Sequence, residues 1–182
     1  MKVAGEQILS ASRERVWELF NNPARLSRLI PGCEKLEILG PDEYAGTMTV
    51  GIAAVKGVYS GKLKLEEKRA PEHYRMVVEG KGKQGFIRGS GTLDLSSKEA
   101  GRTVATYAGD VQVGGTLAQV GQRMIDSAAK MMIGQFFAAA AAELKAESVG
   151  AVARHGIFIN FLRYLLRLLR SLFETLLGRR SN

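Results

Sequence analysis

The stretch VATYAGDVQVGGTLAQVGQRMIDSAAKMMIGQFFAAAAAELK, residues 104–145, changes its hydrophobic period partway along. Up to Val113, apolar and polar positions alternate, as in a strand with one buried face. Gly114-Gly115 breaks that strand. Beyond it, Leu117, Val120, Met124, Ala128, Met131 and Met132 fall at helical spacing. Thr116 and Gln119 have the spacing of a capping box, which predicts a helix of about 30 residues running to Lys145. Such a helix can bury its apolar stripe only against another layer.

The preceding sequence supplies that layer. From residue 34 to 113 the pattern has period two. Tyr44, Gly46, Met48, Val50 and Ile52 alternate with Ala45, Thr47 and Thr49. Tyr59, Gly61, Leu63 and Leu65 alternate with Ser60, Lys62, Lys64 and Glu66. Tyr74, Met76 and Val78 oppose Arg75 and Glu79. Turn signals such as GPDEY and RAPEHY separate the runs, so a meander of about six antiparallel strands with one apolar face is expected. VAGEQIL, residues 3–9, reads as one further strand. Ser12 is placed to cap a short helix through Phe20, and Asn22-Pro23 to start another ending at Ile30. The expected fold is α+β: a curved antiparallel sheet of about seven strands wrapped around a long C-terminal helix, with an amphipathic tail helix behind it.

Gly is frequent inside the predicted strands, including Gly46, Gly61, Gly80, Gly89, Gly91 and Gly109. Interior Gly weakens a strand unless the sheet bends or something approaches closely. A sheet curved around a cavity accounts for the excess, and so does curvature alone. The interior would be lined by Met48, Val50, Tyr59, Leu63, Met76, Val78 and Tyr107 from the sheet, and by Leu117, Met124 and Ala128 from the helix. These residue types suit a filled core and a pocket for a hydrophobic ligand alike.

Catalytic chemistry is weakly represented. His73 and His155 are the two histidines, and neither has a metal ligand at useful spacing. Both read as lone surface groups. Cys33 rules out an intrachain disulfide and lacks the neighbours of an activated thiol. The run GKGKQGFIRGSG, residues 80–91, lacks phosphate-loop spacing and lies between strands, so it reads as a hairpin. Asp42-Glu43 and Glu66-Glu67 read as solvated charges beside turns. No metal or covalently bound cofactor is expected. The N-terminal residues show no apolar leader, which fits a reducing, cytoplasmic setting.

Four stretches carry a family resemblance: IPGCEKL at 30–36, VGIAAVKGVYSG at 50–61, GKGKQGFIRGSG at 80–91 and VGGTLAQVGQR at 113–123. Together they resemble the G-subunit family of carbon monoxide dehydrogenase, over roughly residues 1–146. That family belongs with the START and Bet v 1-like helix-grip domains, which typically enclose hydrophobic ligands between sheet and helix. The resemblance implies a non-catalytic partner of a molybdenum CO dehydrogenase or a related hydroxylase, one that brings the enzyme to the membrane. It also implies a hydrophobic small-molecule ligand such as a respiratory quinone, menaquinone or ubiquinone. An enzyme acting on a hydrophobic small molecule, and a pure membrane anchor with a filled core, are the alternatives.

The resemblance stops before the tail. Residues 147–156 read as a linker and 157–182 as an amphipathic, membrane-interacting helix. Residues 147–182 carry Arg154, Arg163, Arg167, Arg170, Arg179 and Arg180 against Glu147 and Glu174, which is half of the chain's net charge of +8. In IFINFLRYLLRLLRSLFETLLG, residues 157–178, Asn160, Arg163, Arg167, Arg170 and Glu174 recur on one stripe. Phe158, Phe161, Leu162, Leu165, Leu169, Leu172, Phe173 and Leu176 are among the apolar residues filling the rest. Three central arginines would oppose insertion by about 8–10 kcal/mol. Lying in the interface avoids that cost and lets the arginines meet anionic headgroups. A helix docked on protein and a spanning helix are the other readings. Without aromatic residues arranged to stack bases, nucleic acid is not an expected partner. The expected location is the cytoplasmic face of the cell membrane, bound peripherally.

Overall fold

A computed structural model describes residues 1–52 and 55–148. The expected tail helix, with all of its candidate membrane-binding residues, lies outside the described residues. So does His155. The chain divides into two compact units, Met1–Leu144 and Lys145–Asn182. The sheet belongs to the first.

Seven strands form one antiparallel sheet: β1 (Lys2–Leu9), β2 (Cys33–Gly40), β3 (Glu43–Val50), β4 (Gly57–Arg69), β5 (His73–Gly82), β6 (Gly85–Lys98) and β7 (Arg102–Gly114). Their order is β1-β7-β6-β5-β4-β3-β2. The meander from β2 to β7 therefore pairs sequentially, and β1 returns to the far edge beside β7. Two short helices, α1 (Arg13–Asn21) and α2 (Pro23–Leu29), connect β1 to β2. Their starts are those expected: the Ser12 hydroxyl accepts from the Arg15 amide, and the Asn22 side chain accepts from the Arg25 amide with Pro23 in the first turn.

The long helix, α3, begins later than the capping-box spacing implies. Gly115–Val120 forms a 3-10 segment instead, and no side chain caps it. The Thr116 hydroxyl donates to the Gln84 carbonyl at 2.8 Å, as does the Leu117 amide at 2.7 Å. These bonds pin the segment to the β5–β6 hairpin. Gly121 then takes a positive φ of 94°, which ends the 3-10 segment. Residues 122–148 are α-helical. Leu117 and Val120 consequently precede α3 and do not lie on it.

The apolar interior has two parts. The larger joins α1 and α2 to the sheet and the later turns of α3, through Leu9, Val16, Leu19, Phe20, Tyr44, Leu65, Tyr74, Leu93, Phe137, Ala140 and Leu144. Phe20, Phe136, Phe137 and Tyr107 form a chain of ring contacts with centroids 5.3–6.2 Å apart. The smaller part packs Val50, Val55, Tyr59 and Leu117 on Ala128, near the start of α3. Among the described residues Thr103 is the buried polar exception, and its hydroxyl donates to the Ala11 carbonyl at 2.7 Å. Arg25 of α2 bonds Glu143 of α3 at 2.9 Å. The sheet thus grips α3 as expected.

Candidate functional site

Between the two apolar parts, the inner face of the sheet loses its side chains. Gly46, Gly61 and Gly80 are successive partners across β3, β4 and β5. Gly91 and Gly109 are partners across β6 and β7. Alternation with buried Tyr44, Tyr59 and Tyr74 places Gly46, Gly61 and Gly80 on the inner face. Two different causes emerge. A Cβ on Gly61 would lie 2.3 Å from the Glu79 carbonyl oxygen, and one on Gly91 would lie 2.7 Å from that of Ala108. At those positions neighbouring backbone comes too close for a side chain, the signature of a tightly coiled sheet. A Cβ on Gly80 would meet nothing within 4 Å. That position faces open space.

Val78 marks the same gap. It follows Tyr74 and Met76 on the inner face and is paired with Leu63 on β4 and Gly89 on β6. Yet it is 41% exposed, although Tyr74 is buried and Met76 packs on the larger cluster. This inner-face valine is therefore only partly covered.

The ten residues expected to line one interior do not form a single lining. Met48, Val50, Tyr59, Leu117 and Ala128 belong to the smaller cluster. Leu63, Met76 and Tyr107 pack on the larger one. Tyr107 stacks on Phe137 at 5.5 Å, and its ring runs over Gly5. Val78 lies in the gap between the clusters, and Met124, in the first turn of α3, is half exposed. Period-two reading assigns a face correctly. It cannot say which inner-face residues are covered, because cover depends on where α3 crosses.

A second feature escaped the sequence reading. Gln84, in the β5–β6 turn, joins three segments at one end of the grip. Its side-chain amide nitrogen donates to the Lys56 carbonyl at 2.6 Å. Its side-chain oxygen accepts from the Tyr59 hydroxyl at 3.2 Å, and that hydroxyl also lies 2.9 Å from the Val55 carbonyl. With the backbone bonds to Thr116 and Leu117, one residue closes the β3–β4 loop, β4 and the 3-10 segment onto the hairpin. The sequence signal was a lone glutamine between Lys83 and Gly85 in a Gly-rich turn, where a polar side chain is ordinary.

Titratable groups lie mostly away from this space. His73 is not lone: its Nδ1 lies 2.7 Å from Asp94 Oδ1, and its side chain is largely covered. Partial burial pushes the Cys33 thiol up from its ordinary range, as does Glu34, while the Lys35 backbone opposes them. Cys33 sits in an open cleft of about 670 Å³ between α2 and β2, lined in part by Ser27, Arg28, Leu36 and Ile38. A smaller groove of about 250 Å³ crosses the outer face at Lys35, Lys62 and Lys81. Asp42 and Lys68 form an ion pair, as do Glu43 and Lys64, so these turn charges are paired as well as solvated. Among the described residues, no group of His, Cys, Asp and Glu could hold a metal ion. Among the same residues, no helix is long and apolar enough to cross a membrane.

The family model for the G subunit of carbon monoxide dehydrogenase, CoxG, matches residues 5–145. A conserved protein from Geobacillus kaustophilus, solved by crystallography, is 36% identical with a TM-score of 0.79, over 80% of this chain and 96% of that one. A START superfamily protein from Mycobacterium smegmatis has a TM-score of 0.62 at 13% identity, over 80% and 97% of the two chains. The Zhui aromatase/cyclase from Streptomyces sp. R1128 has a TM-score of 0.60 at 16% identity, over 80% and 93%. These last two show a shared START-like, helix-grip fold. No curated protein matches the chain.

Proposed function

The chain belongs to the CoxG family, that of the carbon monoxide dehydrogenase G subunit, and from that premise we propose that its grip carries a hydrophobic small molecule for a partner enzyme. The ligand is a respiratory quinone, menaquinone or ubiquinone. The partner is a molybdenum CO dehydrogenase or related hydroxylase, whose electrons the quinone accepts. The protein itself is non-catalytic. It works peripherally at the cytoplasmic face of the membrane, held there by the amphipathic C-terminal helix.

One observation carries the ligand reading: Val78 is exposed on the inner face beside Gly80, where a side chain would meet nothing. Exposed apolar surface inside a concave fold costs free energy, about 25 cal/mol per Å², that a bound apolar group recovers. The surroundings suit a ring and an isoprenoid chain. Leu63 and Met76 flank Val78 in the sheet, and methionine adapts its shape to a guest. The residues thus fit a quinone by apolar contact.

The test is organic extraction of the purified full chain followed by mass spectrometry, with a quinone titration of the emptied protein. A co-purifying quinone, or saturable uptake at one per chain, is expected. An empty extract together with no uptake overturns the reading.

A further inference from the structure

The outer face of the sheet is electrostatically polarised along its strands. At the end away from the β5–β6 hairpin, carboxylates and cations are interleaved and paired. Asp42 meets Lys68, Glu43 and Glu66 meet Lys64, and Glu67 meets Arg75. At the hairpin end the composition changes. Over residues 49–60 and 79–90, Lys56, Lys81, Lys83 and Arg88, all exposed, stand against Glu79 and against Glu34 of β2, which accepts from the Thr49 hydroxyl at 2.6 Å. Arg88 reaches Glu79 only at 3.9 Å, and among the described residues Lys56, Lys81 and Lys83 make no ion pair.

Apolar side chains are exposed within this basic end. Val58 is 55% and Phe86 is 42% exposed. Phe86 is the cross-strand partner of Lys81, which is the partner of Ser60, so Phe86 and Lys81 share the outer face. The Arg88 guanidinium lies 5.3 Å from the Phe86 ring centre. Gln84 locks the same end together from behind. A rigid platform therefore presents two bulky apolar groups ringed by cations.

We propose that the β5–β6 hairpin end of the sheet, through Lys56, Lys81, Lys83, Arg88, Val58 and Phe86, docks on an anionic lipid surface. Apolar tips enter the headgroup boundary while lysine and arginine meet lipid phosphates, the division of labour that interfaces impose. This site lies on the folded domain and is separate from any role of residues 157–182. It rests on the carrier reading for its purpose, since a bilayer is where a quinone is collected, but its own evidence is charge and exposure.

The probe is Phe86→Trp in the full chain, with the emission of Trp17 in the wild type as background. Vesicles are phosphatidylcholine alone, or phosphatidylcholine with phosphatidylglycerol at roughly seven to three, each with and without brominated acyl chains. The introduced indole is expected to shift to the blue and to be quenched by brominated anionic vesicles only. Adding Lys81→Glu and Lys83→Glu is expected to weaken that signal about tenfold or more at low salt. Vesicle binding by sedimentation without quenching overturns the proposal, since the chain would then be held by another segment. So does equal quenching on zwitterionic vesicles. Retention on immobilised polyglutamate without vesicle quenching reassigns the patch to an acidic protein and also overturns it. Quinone titration of the Phe86→Trp chain without the charge reversals separates the two readings: uptake with no quenching sinks docking alone, and quenching with no uptake sinks the carrier alone.

Discussion

Gly61 lies directly opposite Gly80 across the β4–β5 ladder, and the two positions have opposite surroundings. A Cβ on Gly61 would press on the Glu79 carbonyl, whereas one on Gly80 would meet open space. One glycine is there because the sheet coils. The other borders the open space between the two apolar clusters.

That contrast predicts unequal costs for one substitution. Gly61→Ala is expected to destabilise the fold by about 1–3 kcal/mol, as overpacking does, because the obstruction is backbone. Gly80→Ala is expected to stay within about 0.5 kcal/mol of wild type. Urea denaturation of the two variants, side by side, reads the difference. Equal losses would mean that the sheet is not coiled tightly at Gly61.

Filling the gap separates ligand binding from folding. Gly80→Leu is expected to keep the urea midpoint near that of wild type while lowering quinone uptake at least about tenfold, a cost of ~1.4 kcal/mol in binding. Undiminished uptake would place the ligand elsewhere.

The glutamine clasp should respond to small changes. Tyr59→Phe removes the hydroxyl shared between Gln84 and the Val55 carbonyl. A loss of about 0.5–1.5 kcal/mol is expected. Gln84→Ala also releases the Lys56 carbonyl and should raise amide hydrogen exchange locally in the β3–β4 loop before the rest of the sheet responds. Uniform exchange across the sheet would contradict a local clasp.

Alkaline pH offers a test of the larger cluster. Burial, with Tyr44 beside it, holds the Tyr74 hydroxyl well above the ordinary tyrosine range. The unfolded chain loses that proton near pH 10 while the folded chain keeps it. The contribution to stability is therefore complete below about pH 10 and is lost as pH rises beyond it. Tyr74→Phe should flatten the fall in urea midpoint between roughly pH 9 and 11. An unchanged slope would show that Tyr74 is not the group responsible.

The tail reading has its own measurement. Deleting residues 147–182 should reduce sedimentation with anionic vesicles strongly, because six arginines and the leucines among them go with it. Undiminished sedimentation would end the interfacial-helix assignment and leave the hairpin end as the attachment.

The sequence by itself determined the order of the main elements and the inward face of β3, β4, β5 and β7. Period two from Tyr44 to Val113 and helical spacing read from Leu117 onward suffice for that order, since burial of one face leaves few arrangements. Local caps at Ser12 and Asn22 were legible for the same reason: donor and acceptor are three residues apart. Only the tertiary structure decided where α3 begins, because Thr116 and Leu117 bond to Gln84, more than 30 residues earlier in the chain. It alone separated glycines that permit coiling from the glycine that faces space, a distinction set by neighbouring strands. It alone left Val78 partly exposed and divided the expected lining into two clusters. Periodicity records which way a side chain points; what stands in front of it depends on how distant parts of the chain pack.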